Sequence, residues 1–449
     1  MKKNDIVNLK IIDTTLQGAG VGKIDGLTVF VDSAVTGDDV EAHILKVKSN
    51  CVFAKIHSII TPSENRVDAA CNSYPKCGGC SFRHIDYKTE LSIKENNVKN
   101  NLKRIGGVDP EFEPIVGLTT TGYRNKAQYP ANMEKGELKI GFFAGHSHRV
   151  IDCPDCALQP TEFSKAVAVF KGFLLKNNIS IYDEETHKGL IRHIYFRKAV
   201  QTGEIMICVV VNGDALPKTD AFVDLMISVF GDNLKSVVLN INKDKTNVIM
   251  GQKCVTLYGD DHITDILCGI KVRINPLSFY QVNHDVAEKL YEKAAEYAEP
   301  QGKTVLDLYC GAGTIGLSMA EKAKKIIGVE IIPEAVKDAE FNAKQNGFEN
   351  AEFFCGDAAK AAEKLKNDGI KPDVIIVDPP RKGCDSVLLD TIENMAPKRL
   401  VYVSCDPATL ARDVKILVEK GFKLEKVGVV DQFGHSGHVE SVVLMSRVK

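Results

Sequence analysis

The sequence predicts a multidomain α/β protein, with a small β-barrel first, an α+β centre, and a doubly wound, Rossmann-like domain at the end. Three observations predict it. Residues 1–66 are a succession of short β-branched runs broken by glycine turns. The next stretch, TPSENRVDAACNSYPKCGGC, is a loop with three cysteines close together. From about residue 300 onward, apolar strand candidates alternate with helical stretches, the rhythm of a parallel sheet covered on both faces.

Length and composition agree. A chain of 449 residues exceeds one hydrophobic core, and 44% apolar with 26% charged residues suits soluble globular protein. No apolar run approaches the ~20 residues of a membrane span. The start, MKKNDIVNLK, is charged without an apolar segment behind it, so it does not read as a secretion signal. A cytoplasmic protein with no membrane partner is expected. A net charge of −2 neither demands nor excludes a polyanionic partner. Thirteen cysteines in such a compartment are not a disulfide framework.

In residues 1–66 the runs IVNLKII, LTVFV, DVEAHILKVK and VFAKIHSII read as strands, separated by the turns LQGAGVGKIDG and VTGDD. Short strands at this density suggest a barrel. The stretch GAGVGKIDGLTVFVDSAVTGD resembles the opening of a TRAM domain, an OB-like RNA-binding barrel, and that resemblance implies an RNA-binding module here. Residues 67–275 read as the central domain. They comprise the cysteine loop, a helix over Tyr87–Ile105, then mostly antiparallel strands with one long helix near Glu162–Asn177.

Residues 276–449 form the third domain. Strands are expected at TVLDLYC, KIIGVE, AEFFC, DVIIVD and RLVYVS, with helices over 314–323, 333–347, 357–368, 386–395 and 407–420. The ending, LEKVGVVDQF then VESVVLMSR, reads as a hairpin whose final strand runs antiparallel to the rest. After the first strand comes Gly311-Ala-Gly313-Thr-Ile-Gly316, a GxGxxG turn opening a helix, and Glu330 ends the second strand. Such a carboxylate can accept from both hydroxyls of a ribose. By itself this signature fits a nicotinamide dinucleotide as well as S-adenosylmethionine. Position late in the chain favours the methyl donor, and the string DLYCGAGTIG, holding Asp307, resembles the first motif of methyltransferases. Asp357 after the third strand is placed to meet an adenine, or to cap the next helix.

DPPRKG, beginning at Asp378, and SCDPATLARD, holding Cys405, end successive strands, the edge where open α/β sheets bind ligands. The antiparallel last strand begins on that same edge with Glu440. One thiol and one carboxylate at a ligand edge are the pair needed for nucleophilic addition followed by proton removal. Asp406 reads as an N-cap and Pro407 as the first helical residue. A thiol just ahead of a helix N-terminus is expected to have a lowered pKa, with the charge of Asp406 working against that.

Together DLYCGAGTIGL, DPPRKG, SCDPATLARD, GHVESVVLM and FYQVN at Phe279–Asn283 resemble the RNA uracil-5-methyltransferase family, most of all its bacterial members acting on 23S ribosomal RNA. The resemblance covers nearly the whole chain. It implies a class I methyltransferase domain, S-adenosylmethionine as methyl donor, and an RNA loop or single-stranded site as substrate. A monomer is expected. It makes Cys405 the nucleophile and Glu440 the base, with Gln281, Tyr309, Gly311, Glu330 and Asp378 around the methyl donor. Transfer RNA is the alternative substrate.

Cys71-x5-Cys77-x2-Cys80 reads as metal ligands lacking a fourth, for which Cys153 and Cys156 are candidates; spacing does not separate zinc from iron–sulfur. The family resemblance implies a [4Fe–4S] cluster held by Cys71, Cys77, Cys80 and Cys156. The rival of a different class is an iron–sulfur, nicotinamide-dependent oxidoreductase, which leaves DPPRKG and SCDP without a role.

Overall fold

The computed structural model of the chain describes residues 1–448. Strands Ile6–Lys10, Asp13–Thr14, Ala19–Ile24, Leu27–Asp32, Asp39–Val47 and Cys51–Thr61 curl into one six-stranded sheet. Alternate residues, among them Leu9, Val29, Val31, Val40, Ile44 and Val52, fill its inside. One expected turn contains a strand. Within LQGAGVGKIDG, Ala19–Ile24 pairs with Leu27–Asp32. Its inward positions are Gly20 and Gly22, where a Cβ would lie 2.7 Å from the side chains of Ala34 and Leu9. The glycines there answer to close packing, not to a turn. The barrel is closed off by Asp38, which is fully buried and accepts from Arg66 and from the amides of Val35 and Ser63.

The central sheet runs Val150–Asp152, Glu137–Phe143, Lys126–Glu134, Ile191–Lys198, Ile205–Val211, Leu234–Ile241, Lys253–Gly259. It is antiparallel except for Ile205–Val211 beside Leu234–Ile241, which are parallel. A parallel pair needs a crossover, and helix Thr219–Phe230 supplies it. The sequence reading allowed this region a single helix. TDAFVDLMISVF carries the period of one, with Asp220, Asp224 and Ser228 exposed along one face and Phe222, Val223, Met226 and Phe230 buried on the other, so a second helix was there to be read. The expected helix is Thr161–Lys176, with Phe163, Val167, Phe170 and Leu174 facing the sheet at helical spacing.

The third sheet has the order Ala351–Cys355, Lys325–Glu330, Thr304–Leu308, Val374–Val377, Arg399–Ser404, Glu440–Arg447, Phe422–Val430, with the short strand Glu111–Phe112 at its edge. The first five strands are mutually parallel and Glu440–Arg447 is antiparallel to its neighbours. The strands are apolar along their length because helices cover both faces. The helix expected over 314–323 is shorter, Thr314–Leu317, with turns following. Helix Tyr87–Asn101, capped by Asp86, runs into a π-helical turn, Leu102–Gly106; Val98 and Leu102 pack with Leu410, Val414 and Leu417 of helix Pro407–Glu419. Among the described residues, no helix is long and apolar enough to cross a membrane.

Candidate active site and cysteine pocket

Parallel strands with helical returns bring their carboxyl ends to one edge, and the antiparallel final strand brings its amino end there. The consequence is a cleft of about 550 Å³. Gln281, Tyr309, Gly311, Glu330, Asp357, Asp378, Cys405 and Glu440 all line it, although they are spread over 160 residues of chain.

Its floor is the glycine turn. Gly311 has φ +56°, and a Cβ built there would meet nothing within 4 Å, so its missing side chain leaves open space in the cleft. Gly316 answers to another constraint: its amide donates to Asp307 Oδ2 at 2.9 Å, and a Cβ would lie 2.9 Å from that same oxygen. Asp307 is buried, which pushes its carboxyl up to about 7, and its Oδ1 has no partner. Tyr309, a non-glycine residue, sits at φ +67° beside the turn, a backbone conformation that functional sites commonly hold. Glu330 accepts from the amides of Gly311 (3.1 Å) and Ile332 (2.9 Å), which fix its carboxylate at the strand end with lone pairs to spare. Asp357 caps helix Ala358–Asn367 by accepting from Lys360 N, so the capping role is realised at a residue that also lines the cleft. Gln281 is anchored by Asn125 Nδ2, which donates to its carbonyl at 2.8 Å, and by Gln432 Nε2, which donates to its Oε1. An open glycine floor, a fixed carboxylate at the second strand end and an amide on the opposite wall fit a nucleoside bearing a charged tail.

The reactive wall is acidic. Burial pushes Asp378 up to about 6, and burial together with Asp378 holds Glu440 well above the usual carboxylate range, with Arg381 opposing. The expectation of a lowered Cys405 pKa is corrected here. Burial, then Glu440 and Asp378, push the thiol up to about 11, against the pull of Arg381. The helix N-terminus does not offset this, because Asp406 takes its first free amides, Ala408 N at 2.9 Å and Thr409 N at 3.0 Å.

A second group of residues escaped the sequence reading. Lys94 is wholly buried, bonded to Glu90 (2.7 Å), Asp431 (2.6 Å) and the carbonyl of Phe433 (3.2 Å). Tyr87 donates to Asp431 and the amide of His435 donates to Glu90. This network holds the loop 431–439 that leads into Glu440. Glu90 and Lys94 are spaced i,i+4, ordinarily a solvated pair; the sequence carries no signal that this one is enclosed.

Cys71, Cys77, Cys80, Cys153 and Cys156 line a small cavity of about 120 Å³ between the cysteine loop and the central sheet. Burial pushes Cys77 up to about 11 and Cys80 upward as well. Arg83 and Arg124 line the same cavity; among the described residues neither has an ion-pair partner, and each leaves its Nε unpaired and buried. Enclosed guanidinium groups without carboxylates call for negative charge from the thiols. Thiolates would balance these two positive charges. Among the described residues, no three His, Cys, Asp or Glu side chains are arranged as ligands of one metal ion.

Sheet order, glycine turn and acidic cleft define a class I, S-adenosylmethionine-dependent methyltransferase. Residues 252–448 match the family described as tRNA (Uracil-5-)-methyltransferase, and residues 2–57 match the TRAM domain. An RNA methyltransferase of Clostridium tetani is 45% identical over 99% of this chain and 97% of its own length. One from Bacillus cereus is 43% identical over 100% and 98%. The crystal structure of Pyrococcus abyssi tRNA (uracil-54, C5)-methyltransferase in complex with S-adenosyl-L-homocysteine superposes with a TM-score of 0.79 at 26% identity, covering 97% of this chain and 99% of that one. The chain belongs to the RNA uracil-5-methyltransferase family.

Proposed function

We propose that the chain methylates C5 of a uridine in 23S ribosomal RNA, with Cys405 as nucleophile and Glu440 as base. The observation that carries this reading is the single cleft shared by Cys405, Asp378 and Glu440. C5 of uracil is too weak a nucleophile to take a methyl group unaided. Cys405 adds as thiolate to C6, and the electron pair moves to make C5 enolate-like. S-adenosylmethionine, when bound, supplies a methyl group on positively charged sulfur, and C5 takes it. Glu440 then removes the C5 proton, the electrons return to the C5–C6 bond, and the bond to Cys405 breaks. Gln281, Tyr309, Gly311, Glu330, Asp357 and Asp378 hold the donor. Thiol and carboxylates crowded in a buried site ionise more readily beside a positive charge, so donor binding and activation of Cys405 are coupled.

In this reading residues 1–66 act as the RNA-binding barrel, 67–275 as the central domain and 276–449 as the catalytic domain. Cys71, Cys77, Cys80 and Cys156 hold a [4Fe–4S] cluster with a structural role, charge-balanced by Arg83 and Arg124. Transfer RNA is the second reading, favoured by the Pyrococcus abyssi structure.

A 5-fluorouridine substrate tests the chemistry, since fluorine cannot leave as a proton does. Wild type should form a denaturation-resistant adduct and Cys405→Ala none; an adduct with Cys405→Ala would move the nucleophile elsewhere. Mapping 5-methyluridine in 23S and transfer RNA from a strain lacking the gene decides the substrate.

A further inference from the structure

The barrel carries a built aromatic face that the chemistry does not use. Val29, Val31, Val52 and Ala54 point into the barrel core, so Phe30 and Phe53, on the same two strands, point out. They are register partners in the pairing of Leu27–Asp32 with Cys51–Thr61, and their rings stack with centroids 5.6 Å apart at 26°. Phe53 is exposed at 37%. Lysines surround the pair. Lys46 is the register partner of Phe53 on the next strand, and Lys48 Nζ lies 5.1 Å from the Phe53 ring centre. Lys55 follows two residues along the same face, and Lys23 pairs with Thr28 beside Phe30. Among the described residues none of these four lysines has an ion-pair partner; the outward carboxylates on these and the neighbouring strands are Asp32, Asp13 and Glu41.

The face also lies near the catalytic edge. The barrel turn at Leu16–Gly18 touches the two loops beside it: a Cβ on Gly18 would lie 2.0 Å from Ser81 O, and one on Gly437 would lie 2.0 Å from Leu16 O. Gly437 precedes Glu440 by three residues. Strand Ala19–Ile24 leaves this contact and reaches Val21, the partner of Phe30, after about 10 Å.

We propose that the Phe30–Phe53 pair, ringed by Lys23, Lys46, Lys48 and Lys55, is a stacking platform for unpaired bases of the substrate RNA a few nucleotides from the target uridine. The proposal rests on the RNA-methylating function above and adds where and how flanking RNA is held. Every base has a face that stacks on an aromatic ring, and unpaired lysines meet the phosphates between bases.

The test is affinity for a fluorescein-labelled, unstructured RNA of about a dozen nucleotides, a length typical of single-strand sites on such barrels. Phe30→Leu and Phe53→Leu should each weaken binding about tenfold, while Phe53→Tyr, which keeps the ring, should stay within about twofold of wild type. Lys46→Ala with Lys48→Ala should flatten the dependence of log affinity on log salt by about one to two. Affinity unchanged in both Leu variants, as for a face that serves a protein partner instead, overturns the platform. So does an equal loss in Phe53→Tyr, which marks fold damage. Failure of the catalytic reading shows separately: the wild type would form no fluorouridine adduct, whatever the affinities.

Discussion

The charge arrangement around Cys405 makes a prediction that runs against its position at a helix start. With the thiol pushed up to about 11, the thiolate fraction of free enzyme at pH 8 is about 0.1%, against about 10% for an ordinary thiol near 9. Iodoacetamide should therefore alkylate Cys405 about a hundredfold more slowly at pH 8 than it does an unhindered thiol. The rate should keep climbing through pH 10 without a plateau. Glu440 and Asp378 both push the thiol up, so Glu440→Gln or Asp378→Asn removes one repulsive charge and should speed alkylation. Arg381→Gln removes the opposing charge and should slow it. The assay is peptide mass spectrometry of the Cys405 peptide along a pH series, which separates it from the exposed Cys254 and Cys355. A plateau with a midpoint at or below 8.5 would refute the reasoning and restore the helix terminus as the dominant influence.

Other outcomes follow from the same geometry. Glu440→Gln should transfer the methyl group and then stall, accumulating a covalent complex with methylated RNA on denaturing gels; normal turnover would point to Asp378 or water as the base. If Glu330 holds the donor's ribose as proposed, Glu330→Ala should weaken S-adenosylmethionine binding at least tenfold in calorimetry through loss of two hydroxyl hydrogen bonds to a charged acceptor. Anaerobically purified protein should be brown with iron and sulfide near four each per chain, and Cys156→Ser should lose the colour where Cys153→Ser keeps it; stoichiometric zinc without sulfide would rule the cluster out. Burial alone would raise Asp38, but Arg66 and the amides of Ser63 and Val35 hold its carboxyl below the usual range. Its contribution is thus complete above the unfolded value near 4 and is lost as pH falls through the lower folded value. Asp38→Asn should cost the barrel about 3 kcal/mol, read by denaturant unfolding at pH 7, and the gap from wild type should narrow only in strong acid.

What was legible in the sequence follows period and punctuation. Apolar strand runs, Pro407 after Asp406, and the glycines of GAGTIG each constrain the backbone locally, so the C-terminal sheet and its ligand edge could be placed before any coordinates. That placement brought Asp378, Cys405 and Glu440 to one cleft. The failures have local causes too. Gly20 and Gly22 look like turn residues because their real constraint, the side chains of Leu9 and Ala34 across the barrel, comes from elsewhere in the chain. Helix Thr219–Phe230 is the exception, because Asp220, Asp224 and Ser228 mark its polar face in the sequence. Lys94 shows no sign of burial because Asp431, its second partner, lies 337 residues away.

The misread pKa of Cys405 is the more instructive error, because every local signal was read correctly. Asp406 does cap the helix and the thiol does sit ahead of it. What local sequence cannot convey is that the cap uses up the helix's free amides, while chain folding sets two distant carboxylates in the same enclosed cleft. In the proposed mechanism such a site is quiescent when empty. There the Cys405 thiol and the Glu440 carboxyl, both held above their usual ranges, would each ionise more readily beside a positive charge. Alkylation of Cys405 should accordingly quicken when S-adenosylmethionine is added and not when its uncharged demethylated product is added. Equal effects of the two would show that occupancy of the cleft matters and the sulfonium charge does not.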